Sequence, residues 1–311
     1  MTRRISRLAG ALAAGLAWLG ALTAPALAET DFAALEADPA IWRIASDGGD
    51  VYLFGTVHIL PPQLDWRTDA IDTALASADR IYFEADVLSP ESQAEMTALV
   101  PQLGMNAAGV TLSSLISEQA QANLARMAAQ LGAPAGALES SLDPLQPWLA
   151  GLTVAILQIQ AAGYDPTSGV EYRLKAAGDE AGASYGYFET VEQQLRFFAD
   201  MPIETQIADF EINLAQALED PGMLDRMVQA WAVGDTDGLD TIMNEGMRDT
   251  SADLYDVLIV QRNQNWIPLI EDILDSGESA FIAVGAGHVT GPQGVISLLE
   301  ARGHTVERIN P

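Results

Sequence analysis

Apolar residues run unbroken in two short stretches near opposite ends of the chain, Val51-Tyr52-Leu53-Phe54 and Ala280-Phe281-Ile282-Ala283-Val284. Runs of this length, rich in β-branched and aromatic residues and closed by glycine, read as strands buried on both faces. Ile41 to Ala45 precedes the first run, and Ser46-Asp47-Gly48-Gly49-Asp50 between them is a turn sequence, so the pair predicts a hairpin. A helix over Thr68–Ala78 and a strand over Arg80–Glu84 follow. From about 89 to 275 the spacing is helical, as in Leu112, Leu115 and Ile116 or Leu124, Met127 and Leu131. Pro134, Pro144, Pro147, Pro166, Pro202 and Pro221 cut this region into helices of ordinary length, and one short strand, Ser184–Phe188, interrupts it. The end alternates again: strand Ala280–Val284, helix Gly291–Ala301, strand Thr305–Ile309. The expectation is an α/β (α+β) fold with a small central sheet built from the N- and C-terminal segments and a large helical insertion.

The first 28 residues stand apart. Arg3, Arg4 and Arg7, then an uncharged stretch from Leu8 to Leu22, then Ala26-Leu27-Ala28, follow the order of a cleavable secretory signal. The expectation is a leader over 1–28, a single domain over 29–311, and a periplasmic or secreted product. An uncleaved anchor is the rival. Trp148 to Ala162, the most apolar later stretch, contains Gln158 and Gln160 and falls short of the roughly 20 apolar residues of a membrane span. It reads as a buried helix.

Formal charge is −28; without the three leader arginines, 12 basic residues face 43 acidic ones, a net charge of −31. That argues against nucleic acid as a partner, which requires a basic footprint. Cysteine is absent, so thiolate chemistry and disulfides are excluded.

Two of the three histidines share one frame: Gly55-Thr56-Val57-His58 and Gly285-Ala286-Gly287-His288, each at the end of an apolar strand. A glycine there lets the backbone leave the strand with unusual dihedrals and return the imidazole over the sheet edge. His58 and His288 are therefore candidates for one joint site, against the simpler reading of two hydrogen-bonded turn residues. Glu84 ends the third strand; if that strand runs parallel to the other two, it emerges at the same carboxyl edge. Two imidazoles and a carboxylate suit Mn, Fe, Co or Zn as a divalent metal, whose bound water is acidified enough to attack a carbonyl. The same trio without metal makes a histidine–glutamate base for water.

The order GTVH, FEAD, QRNQNW and VGAGHVTGPQGVISLLEARGHTVERI, spanning roughly Ile41 to Ile309, resembles the TraB/PrgY/GumN family, which is related to the TIKI metalloproteases and shares the erythromycin-esterase/ChaN-like fold. The resemblance implies a paired GxxH active site with a glutamate and an arginine, and metal-dependent hydrolysis in the TIKI members. Matched by position, these are His58, His288, Glu84 and Arg262, with His58, Glu84 and His288 as implied metal ligands. Arg262 is implied to bind a substrate carboxylate or to orient Glu84; read locally, it is a helix-surface cation. Asn263 beside it is a partner or a helix-end residue. In Gly169-Val170-Glu171 this chain carries Glu where the family often has Asp, which places any direct role in doubt. Glu189 resembles a family position too, but Thr190 and Gln193 form a capping box that gives it a structural reading. Gly291, Pro292 and Gly294 read as a glycine-rich helix entry, whose amides face an anion or whose glycines serve close packing. His304 reads as a turn residue and Lys175, the only lysine, as part of an exposed helix face.

Taken together, the expectation is an exported metal-dependent hydrolase of peptidase or amidase type, acting on a peptide or small-molecule substrate. Two alternatives stay open: a non-catalytic protein that binds haem or a short peptide or is accessory to polysaccharide or pheromone handling, as the resemblance implies, and a metal-free esterase with a histidine base.

Overall fold

The computed structural model describes residues 30–46 and 48–310; the expected leader lies outside them. Six strands form one sheet: β1 (Ile41–Ile44), β2 (Val51–Thr56), β3 (Arg80–Ala85), β4 (Ser184–Glu189), β5 (Ala280–Gly285) and β6 (Val306–Arg308). Their order is β4-β3-β5-β2-β1-β6. β4, β3, β5 and β2 run parallel, while β1 is antiparallel to both β2 and β6. The mixed α/β class, the hairpin and the parallel setting of β3 agree with the sequence reading. One refinement is that the helical insertion is not external to the sheet, because its single strand, β4, pairs with β3 as an edge.

The apolar runs are continuous because both faces of the central strands are covered. Period-2 alternation sends Phe54 and Phe281 to one side, where they pack with Trp66 and Trp231, and Leu53 and Ile282 to the other, with Trp266 and Ile270. Phe54 and Phe281 are fully buried, with ring centroids 5.9 Å apart, and each contributes about 2–3 kcal/mol of transfer free energy. A third cluster is built mostly from helices and joins Leu112, Met127, Leu142, Trp148 and Phe210. The helix Pro147–Ala161 belongs to it, as expected for the apolar stretch. Among the described residues, no helix is long and apolar enough to cross a membrane.

Most element boundaries fall within one or two residues of expectation. The last helix is the exception: it begins at Val295, not Gly291. Gly291 takes φ +75°, and a Cβ on Gly294 would lie 2.4 Å from the Thr290 carbonyl. That loop is therefore packed too tightly to be a helical turn. Close packing accounts for its glycines.

Candidate active site

The carboxyl ends of four adjacent parallel strands line up along one edge, where open α/β sheets hold their ligands. In spatial order they deliver Glu189 from β4, Glu84 from β3, the Gly285–His288 corner from β5 and Thr56 with His58 from β2. The Gln261–Ser276 helix adds Arg262, Asn263 and Trp266 from one face.

The two glycine–histidine corners are not built alike. Neither Gly55 nor Gly285 has positive φ, so the expected special dihedrals are absent. What both positions require is space. A Cβ on Gly55 would sit 2.9 Å from Val289 Cγ2 and 3.1 Å from Ala286 Cα, so this glycine lets β2 approach the turn after β5. A Cβ on Gly285 would sit 3.1 Å from Glu84 Oε1, and its absence lets that carboxylate accept the Gly285 N–H at 2.7 Å. Beyond Gly285 the chain makes a short helical turn, Ala286–Val289. Gly55, by contrast, continues the strand, which runs on to Thr56 before the His58 loop.

Arg262 organises the larger cluster. It is only 7% exposed, which corrects its reading as a surface cation. Its Nε donates to Glu189 Oε1 at 2.9 Å; Nη1 donates to the Leu258 carbonyl at 3.3 Å and to His288 Nε2 at 3.0 Å; Nη2 donates to Glu189 Oε2 at 2.8 Å and to Glu84 Oε2. A guanidinium has five N–H groups, and all five are occupied. No donor is left for a substrate carboxylate, so of the two roles implied for Arg262 the geometry favours orienting Glu84. Burial opposes its charge, but the two carboxylates overcome this and raise its pKa.

That contact also fixes His288. A guanidinium only donates, so Nε2 accepts and Nδ1–H must donate to Asn263 Oδ1, 2.6 Å away. The ring lies against Trp266 with centroids 4.4 Å apart. Burial drives its pKa down to about 3, so His288 is neutral. The Asn263 amide also donates to the His288 and Gln293 carbonyls, and the buried Asn244 amide holds Gly287 O at 3.0 Å. Glu84 is ionised: burial resists, but His288, Arg262, His58 and the Gly285 amide outweigh it and lower the pKa to about 2. With His288 neutral, the permanent charge in that set is Arg262. Gln194 Nε2 completes the carboxylate at 3.1 Å.

His58 lies outside these contacts. Its side chain is 70% exposed, and Nδ1 is 2.7 Å from Glu171 Oε1. Glu171 in turn accepts from Thr56 Oγ1. The Val170 amide donates to the Val57 carbonyl at 3.0 Å. Glycine at 169 is what allows this, because a Cβ there would lie 1.9 Å from the His58 carbonyl oxygen. Glu171 raises the His58 pKa, to about 9, against the effect of burial; solvent around the exposed ring screens part of that attraction. Glu84 and Arg262 act on His58 through their charges without touching it.

The three expected metal ligands are therefore not assembled. Among the described residues, no group of three or more histidine or carboxylate side chains is disposed to hold a metal ion. The physical reason is Arg262, which occupies His288 Nε2, the ring nitrogen that ligation would need, and one oxygen of Glu84. His288 Nε2 and Glu84 Oε1 still approach to 3.7 Å.

Glu171, set aside for its extra methylene, touches His58 directly. Glu189 does have a structural role, and the Thr190–Gln193 capping box is present, but the residue it supports is Arg262. Trp266, Gln194 and Asn244 were not anticipated. Trp266 was legible in part, because Arg262, Asn263 and Trp266 sit at helical spacing in QRNQNW. Nothing in the local sequence marks Asn244 or Gln194. His304 pairs with Glu271 at 3.2 Å, and Lys175 with Asp179 at 2.7 Å.

A profile of the TraB/PrgY/gumN family matches residues 40–308, a span that includes every residue of this edge. No match was found among curated proteins or among solved structures.

Proposed function

The chain belongs to the TraB/PrgY/gumN family, and from its geometry we propose that it is a hydrolase of amide or ester bonds in which His58, oriented by Glu171, exchanges the proton. The observation that carries this reading is the division of labour among the expected residues. Glu84, Arg262 and His288 satisfy one another, whereas His58 keeps Nε2 outside every hydrogen bond among the described residues and lies open to solvent. A histidine whose Nδ1–H is held by a carboxylate is the unit that takes a proton from water and returns it to a leaving group. With its pKa raised to about 9, His58 holds the acid form at neutral pH and gains the basic form as pH rises toward that value. Glu84, with its pKa near 2, is too weak a base for that task. Its pairing with Arg262 makes a rigid charged floor beside the imidazole, of the kind that acts by preorganisation.

The same dyad supports a second reading with metal. Metal-binding imidazoles usually donate their other N–H to a carboxylate, as His58 does to Glu171. In the present arrangement Glu84 and His288 do not fit as its companions unless Arg262 withdraws. The leader sequence supports export, which N-terminal sequencing of the product tests.

The deciding experiment is a screen of peptide, amide and ester substrates with the wild type and His58→Ala, each with and without chelator. Turnover that survives chelator and vanishes in His58→Ala supports the metal-free reading. Turnover lost to chelator and restored by Mn, Co, Fe or Zn supports the metal reading. Turnover unaffected by His58→Ala eliminates both.

A further inference from the structure

A cavity of about 670 Å³ opens beside the Arg262 cluster and shares Glu189 and Trp266 with it. Its volume lies in the range of ligand-binding clefts. Phe197, Met201, Val257 and Leu269 supply apolar wall, and Leu269 is 42% exposed. The lining also holds four carboxylates, Glu189, Asp200, Asp253 and Asp256, against one cation, Arg196.

The charges do not cancel. Glu189 is neutralised by Arg262, and Arg196 is taken up by Glu192 at 2.8 Å and Asp200 at 3.4 Å. Asp256 accepts only from the neutral amide of Gln261 at 2.6 Å. Asp253 has no cationic partner among the described residues. A second, independent observation lies behind it. Asp209, on the adjoining Ile203–Glu219 helix, is 9% exposed, and its Oδ2 has no hydrogen-bond partner. Asp253 is its charged neighbour. Among the described residues, Asp209 is held by the Ser251 side chain alone, so an unmatched negative charge beside it is costly. The cleft in front is bordered by two carboxylates without a cation, Asp253 and Asp256.

We propose that this cavity binds a basic side chain of a peptide, arginine or lysine, with its methylenes against Phe197, Met201, Val257 and Leu269 and its charged head matched by Asp253 and Asp256. Long cationic side chains combine an apolar stem with a charged tip, which is the pairing this lining presents. The net charge of −28 concentrates such cations near the surface before they bind. As a specificity pocket for cleavage, the cavity rests on the hydrolase reading; as a binding site it does not.

The test is calorimetric titration of the full chain with acetyl-Phe-Arg-amide, its citrulline counterpart and acetyl-Phe-Glu-amide. Citrulline keeps the shape of arginine and removes its charge. The expected result is roughly tenfold tighter binding of the arginine peptide than of the citrulline one, with the glutamate peptide weakest. Asp253→Asn and Asp256→Asn each reduce the preference several-fold, with unchanged thermal unfolding to show that the fold survives. His58→Ala retains the preference in full. Equal binding of the three peptides, no binding of any, or a preference indifferent to both aspartate substitutions overturns the proposal. Arginine preference without turnover of any substrate removes the hydrolase reading and leaves the pocket standing; turnover through His58 without arginine preference does the reverse.

Discussion

His58 and His288 end the same four-residue frame on adjacent parallel strands, yet their side chains are 70% and 5% exposed. Their pKa values move in opposite directions, His58 up to about 9 and His288 down to about 3. The frame accounts for delivery, since it brings an imidazole to the carboxyl edge of the sheet. It does not set the proton. The surroundings decide that: a carboxylate from the Val170–Ala181 helix raises one imidazole, whereas burial, helped by a guanidinium from the Gln261–Ser276 helix, lowers the other. One corner leaves its imidazole open to solvent, and the other buries it in a cluster whose donors are all occupied.

The strongest way to break this contrast is through Arg262. Arg262→Leu leaves Glu84 and Glu189 facing each other without a cation, and removing one partner of a buried charge cluster costs about 3–5 kcal/mol. Urea denaturation should show that loss, whereas His58→Ala should cost clearly less, because solvent screens the pairing of its exposed ring with Glu171. A small effect of Arg262→Leu would mean that the cluster is solvated rather than locked. Next in size is the effect on catalysis. His58→Ala should lower turnover by on the order of 10²–10⁴-fold at a smaller cost in stability than Arg262→Leu, which separates chemistry from scaffold. His288→Ala comes third. It strands one N–H of Arg262 and the Asn263 carbonyl and opens a void against Trp266, for a loss of about 2–3 kcal/mol in the same denaturation series.

Much of the edge was legible because strand ends are local. Apolar runs, terminal glycines and the residues just after them lie within a few positions of one another, so β2, β3 and β5 and the delivery of His58, Glu84 and His288 could all be read from the sequence. The parallel sheet then brings Glu84 and His288 together over a separation of more than two hundred residues. What stayed hidden was the saturation of Arg262, because its five donors end on β3, β4, its own helix and the β5 corner. No local pattern reports such a convergence. The metal expectation depended on that missing fact, since ligand types were present in the sequence but the occupancy of their lone pairs was not. Glu171 was misjudged for a related reason. One extra methylene matters only when the backbone cannot adjust, and Gly169 brings the two segments close enough for the longer side chain to reach.

The smallest effect distinguishes the two corners most finely, through pH. His288 has a depressed pKa in the folded state, so the unfolded chain binds the extra proton; its contribution to stability is complete above about 6.5 and is lost as pH falls toward 3. His58 has a raised pKa, so its contribution is complete below about 6.5 and fades as pH rises through about 9. Stability profiles of the two alanine variants should therefore depart from wild type on opposite sides of neutrality. Glu171→Gln isolates the cause. The amide can still accept the Nδ1–H but no longer attracts the proton, so the His58 titration seen in its ring proton resonances should move down by roughly one to two units. The rising limb of any pH–rate profile, set by deprotonation of His58, should move with it, while the His288 resonance stays in its neutral form in both proteins. Salt should shrink the shift, because the ring is exposed. An unmoved His58 titration would mean that Glu171 holds the ring without tuning it, and the distinction between the two corners would then lie in exposure alone.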